Sequence, residues 1–83
     1  MSVRENLIAA RAMISDQAIY ENANRTTGSG LGWAIDEVCC GHNTEAAAMF
    51  KAISPFWEAG PHKPHSEVMA IIDRAIAAQP VTP

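Results

Sequence analysis

The sequence predicts an all-α protein, a small compact orthogonal bundle of four main helices with one short extra turn. Two observations predict it. Of 83 residues, 48% are hydrophobic but only 6% aromatic, an alanine-rich balance that suits close-packed helices better than a sandwich of strands. The apolar residues also recur at helical spacing. Near the end of the chain Val68, Ile71, Ile72, Ala75 and Ile76 make one continuous face, with Glu67, Asp73 and Arg74 on the other side. That stripe is too wide for an isolated surface helix, so earlier segments must supply its partner surface.

Taken in order, Ser2-Val3-Arg4-Glu5 has the form of a capping box, which starts a first helix. Val3, Leu7, Ala10 and Ile14, joined by Met13, give it an apolar seam, and Arg4, Asn6 and Arg11 lie off that seam. Ser15 and Asp16 prefer caps and turns, which predicts a break or bend near Ser15. Residues 17–23 then continue the helix through a kink or restart it as a shorter one. By composition 24–30 is a loop. A second helix over 31–40 buries Leu31, Ile35 and Val38, with Trp33 and Cys39 bordering, and Gly41 is placed for a left-handed cap. Asn43-Thr44-Glu45 offers a capping side chain and a first-turn carboxylate for a third helix. Its inward face is Ala46, Met49, Phe50 and Ile53, and Ser54-Pro55 ends it. Pro55 to Glu58 is read as a single turn that holds Phe56 and Trp57 as a lid over the core. Two prolines stiffen the connection to a last helix over 65–78, and 79–83 is read as a frayed tail. The expectation is one domain over 1–83, its first and last helices packed together and the middle pair crossing them.

Length and charge exclude several functions. A chain this short buries only roughly 60% of its unfolded surface, so one modest core is the ceiling and no separate cofactor domain fits. Six Lys and Arg are scattered through a chain of net charge −3, whereas a nucleic-acid binder needs a basic face. No apolar run approaches the ~20 residues of a membrane span, and no signal-peptide layout opens the chain. The expectation is a cytoplasmic protein without nucleic-acid or membrane partners. Cys39 and Cys40 are sequence neighbours, which a helix points about 100° apart, so reduced thiols are expected rather than a disulfide.

Three stretches also resemble a known family. They are Leu7-Ile8-Ala9-Ala10-Arg11-Ala12-Met13-Ile14, then Gly32-Trp33-Ala34-Ile35, and finally the run from Lys63-Pro64-His65 through Glu67-Val68 to Asp73-Arg74-Ala75-Ile76. In that order they are similar to small proteins of unknown role from actinobacteria and their phages, which share an A-R-x-L-I first helix and an E-V-x-x-L-x-D-R-A-I last helix. The resemblance implies a helical architecture and says nothing of chemistry. The family's W-N-D turn stands here as Trp57-Glu58-Ala59, so a role for its Asn-Asp pair does not carry over.

Few side chains carry chemistry. Cys40-x-His42 and His62-x-x-His65 each offer a pair of metal ligands, and helices could bring the pairs together around zinc. Against that, the spacing matches no standard finger, and His62 and His65 sit beside prolines where histidine commonly faces water. A Cys-His nucleophile is disfavoured because both thiols fall near a helix C-terminus, whose dipole opposes a thiolate. The glycines of 26–32 run into a helix start, where N–H groups can hold an anion, but without a Walker ending they read as a flexible turn. Asp36, Glu37 and Glu58 read as a solvated face. Trp33, Phe56, Trp57 and Met49 are bulky residues in a chain of small ones; they plug the core or, in the sharper reading, one tryptophan and some methionines stay exposed as an interaction patch. The leading functional expectation is a non-enzymatic, cofactor-free accessory protein that binds another protein or itself. A zinc-binding or thiol-dependent regulator using Cys40, His42, His62 and His65 is the alternative.

Overall fold

The capping box at the start of the chain forms as its sequence requires. Ser2 Oγ accepts the Glu5 N–H at 3.1 Å, Glu5 Oε1 accepts the Ser2 N–H at 3.3 Å, and helix α1 runs Val3–Ile14. The structure is a computed structural model and describes residues 2–58 and 63–80. Four further helices follow, α2 Gln17–Thr27, α3 Gly30–Cys39, α4 Asn43–Ile53 and α5 His65–Ala78, with a 3₁₀ turn Ser54–Phe56 closing α4. Among the described residues there is no strand. The class is therefore all-α, with five helices where four were expected.

The additional helix arises at Ser15 and Asp16. The Asp16 carboxylate accepts the N–H groups of Ala18 and Ile19, so the chain restarts a full helix rather than a short extension. That helix carries past Ala23 into residues expected to be loop. Thr26 Oγ1 donates to the Asn22 carbonyl at 3.0 Å and Thr27 Oγ1 to the Ala23 carbonyl at 2.6 Å, so the hydroxyls are satisfied inside the helix. Gly28, at φ 82°, then ends α2 in a left-handed cap. Only Gly28 and Ser29 remain between α2 and α3.

Two other junctions differ from expectation. The left-handed residue after α3 is Cys40 as well as Gly41, at φ 51° and 79°. Helix α4 is entered from His42, whose carbonyl already accepts the Ala46 N–H, so Asn43 lies within the first turn and does not cap it.

Helix α1 lies at the centre of the packing and touches each of the other four helices. Its seam, Leu7, Ala10 and Ile14, has no solvent exposure. It meets Ala34 and Ile35 of α3, Met49 and Ile53 of α4, and Val68, Ile71, Ile72 and Ala75 of α5 in one hydrophobic cluster. Each large aliphatic side chain buried there stabilises the fold by about 1.5–3 kcal/mol relative to exposure. The radius of gyration is 11.9 Å, which equals what a compact chain of this length has, about 12 Å. Four expectations about faces are corrected. Asn6 is buried, Phe50 is exposed, Val38 is only half-buried, and Cys39 rather than Val38 completes the inner face of α3. One helical turn offers more than one residue to a neighbour, and which one is used depends on the neighbour's angle of approach.

Helices α2 and α3 meet closely at Gly30. A Cβ there would lie 2.9 Å from Tyr20 Cδ1, so the aromatic ring on α2 comes this close to α3 only because this residue has no side chain.

Candidate functional site

Residues Phe50, Ile53, Ser54 and Trp57 stand at helical i, i+3, i+4, i+7 spacing, and the 3₁₀ turn lets that stripe run on past the end of α4. With Ser29, Leu31 and Gly32 from the start of α3 it lines an open groove of about 340 Å³. Leu31 and Ile53 are nearly buried, while Phe50 and Trp57 keep 45% and 39% of their surface in water. The Lys63 ammonium lies 5.3 Å from the centre of a Trp57 ring, a favourable cation–π distance. Among the described residues no carboxylate lines the groove. Of the predicted patch, Trp57 belongs to this groove; Trp33 and Phe56 are half-buried and pack against the core. Trp57 is thus no lid over the core. Phe50 was missed as a surface residue, although its spacing to Trp57 was readable in the sequence.

The start of α3 has little left for an anion. Asn24 Oδ1 accepts the Gly30 N–H, Ser29 Oγ accepts the Gly32 N–H at 3.0 Å, and the Ser29 carbonyl accepts the Trp33 N–H. The glycine-rich segment is a helix start that caps itself.

The metal candidates are divided between two places. Cys40 and His42 line a second pocket of about 260 Å³ together with Asn6, Val38, Cys39 and Glu45. There His42 Nδ1 stands 3.6 Å from Glu45 Oε2. His65 is elsewhere, half-buried against α1 and α2 and not facing water as its neighbouring proline suggested. Its Nε2–H donates to the Ile14 carbonyl at 2.7 Å, and its ring lies 5.1 Å from that of Tyr20. Since a carbonyl only accepts, the bond fixes the proton on Nε2. This bond satisfies one of the free carbonyls at the end of α1 and fastens α5 to it. His62 lies outside the described residues. Among the described residues no three His, Cys, Asp or Glu side chains gather as a metal site.

Both thiols are free, Cys39 buried and Cys40 exposed. Burial pushes the Cys39 thiol up from its ordinary pKa, and the charges of Glu45 and Asp36 add to the effect. Asp36, Glu37 and Glu58 are exposed.

No family model, curated protein or solved structure matches this chain.

Proposed function

We propose that the chain is a non-enzymatic interaction protein that seats an apolar segment of another protein in the groove formed by Phe50 and Trp57. One observation carries the reading: two large aromatics line one open groove and keep nearly half their surface in water. Burying such side chains yields about 1.5–3 kcal/mol each, and interfaces draw most of their energy from a few anchors of this kind. Lys63, held over Trp57, suits a segment that carries a carboxylate beside its apolar anchor. Self-association through the same groove is the other mode of the same activity. The accessory role agrees with the resemblance to small actinobacterial and phage proteins, and a cytoplasmic site of action agrees with reduced thiols.

The test compares the wild-type chain with Phe50→Ala and Trp57→Ala, each immobilised at equal density and checked for unchanged helical circular dichroism. A partner retained by wild type and lost from both variants supports the reading. So does an oligomer that sedimentation velocity detects in wild type and not in the variants. A partner or oligomer that both variants keep sinks it. The zinc reading has less support, because His65 is already hydrogen-bonded to the Ile14 carbonyl.

A further inference from the structure

The second pocket lies at the opposite end of α3 from the groove. It is lined by Val38, Cys39 and Cys40 at that helix end, by Asn6 of α1, and by His42 and Glu45 at the start of α4. Asn6 sets it apart. Among the described residues it is the buried polar residue, 7% exposed, and its side-chain amide makes no hydrogen bond with the protein. No buried nitrogen or oxygen of the described residues is sealed off without a partner, so both amide atoms of Asn6 remain open, and the pocket is the surface they open onto. A buried amide is ordinarily paired; one left open on a concave wall offers a donor and an acceptor side by side.

The wall is also negative. Glu45 brings a carboxylate, and among the described residues neither Lys nor Arg lines the pocket. The Cys39 thiol on this wall is pushed up first by its burial and then by the charges of Glu45 and Asp36, which reports the sign of the field. Helix α3 ends here with no basic residue in its last turn to offset its dipole. The first turn of α4 adds about half a positive charge, less than the full charge of Glu45. His42 Nδ1, 3.6 Å from Glu45 Oε2, offsets that charge only when protonated.

From an open buried amide and a carboxylate lining one pocket, we infer that it binds a primary ammonium with an amide carbonyl one carbon away, the chemistry shared by a free amino-acid amide and a peptide N-terminus. Asn6 Oδ1 accepts one ammonium N–H while Asn6 Nδ2–H donates to the carbonyl of the same residue. Glu45 accepts a second ammonium N–H, and a small side chain rests on Val38. At about 260 Å³ the pocket falls just under the usual range of ligand sites, about 300–1,000 Å³, so it takes a single residue. A free amino acid puts a carboxylate where the amide should be, and the negative wall rejects it.

The experiment titrates the isotope-labelled full chain with L-valinamide at pH 7, below the ordinary α-amino pKa of about 8, and follows the Asn6 side-chain NH₂ resonance by NMR. The expected result is a saturable shift. N-acetyl-L-valinamide and L-valine should bind about tenfold or more weakly, the scale of a lost charged hydrogen bond. Glu45→Gln should weaken valinamide to a similar extent. Asn6→Leu should abolish binding with an equal or higher melting temperature, because an apolar side chain of similar size replaces an unpaired amide. A parallel titration with the tripeptide Val-Ala-Ala-amide identifies the source: tighter binding than valinamide assigns the site to a peptide N-terminus, weaker binding to a free amide. Absence of a saturable shift with either probe overturns the proposal. So does binding that the N-acetyl group or either variant leaves unchanged, or a marked loss of stability in Asn6→Leu, which would make Asn6 a structural residue.

Discussion

Two adjacent cysteines show how far position decides the behaviour of one residue type. Cys40 is exposed and Cys39 is buried, so N-ethylmaleimide should label Cys40 in the native state and Cys39 only as fast as the fold opens. Mass spectrometry of a labelling time course measures this directly. The raised folded pKa of Cys39 also has a consequence for stability. Its contribution is complete below the unfolded thiol pKa, roughly 8.5, and is lost as pH rises through the folded value. Urea midpoints taken at neutral and alkaline pH should therefore fall further for wild type than for Cys39→Ala. Gly30 is a second residue whose surroundings leave no latitude. The methyl of Gly30→Ala would press on the Tyr20 ring, and thermal unfolding should report a loss of about 1–3 kcal/mol.

At the scale of elements, helix ends explain most of what the sequence did and did not disclose. The start of α1 was legible because a capping box is a local device whose partners lie three residues apart. The last helix was legible over 65–78 because its apolar face repeats without interruption. Helix α2 was only half visible. Its final turn is written in Asn, Arg and Thr, which favour loops in isolation, and the hydroxyl bonds back to Asn22 and Ala23 that hold it are a property of the formed helix. Asp16 should carry the weight of that helix's start. Asp16→Ala is expected to cost about 1 kcal/mol in chemical denaturation, with Asp16→Asn close to wild type. At the first helix the Glu5 carboxyl is held below its ordinary pKa, first by the Ser2 backbone N–H and then by the Ser2 hydroxyl. A depressed pKa gives a contribution present above the unfolded value and lost as pH falls through the folded one. The difference between wild type and Glu5→Ala should therefore shrink on acidification, as followed by circular dichroism.

Over the whole molecule, long-range placement is what the sequence withheld. Short sequence spacing paired Cys40 with His42, but it could not show that His65 points to the end of α1, because that bond joins residues 51 apart in the chain. Nor could it separate Trp33 from Trp57: both are large and apolar, and only the course of α3 and α4 leaves one packed on the core and the other lining the groove. The same long-range character governs cooperativity. Val68, Ile71, Ile72 and Ala75 of α5 complete the cluster in which the α1 seam is buried, so a chain ending at residue 64 is expected to lose its sharp urea transition and to bind a hydrophobic dye.

The central position of α1 carries a further implication for synthesis. Helix α1 is synthesised before α5, yet the two are neighbours, and the Ile14 carbonyl finds the His65 ring only after α5 exists. While the nascent chain is still threaded through the ribosomal exit tunnel, the Leu7, Ala10 and Ile14 seam has no complete surface to close against. Closing the core around α1 therefore requires that α5 has emerged, since Val68, Ile71, Ile72 and Ala75 complete the cluster.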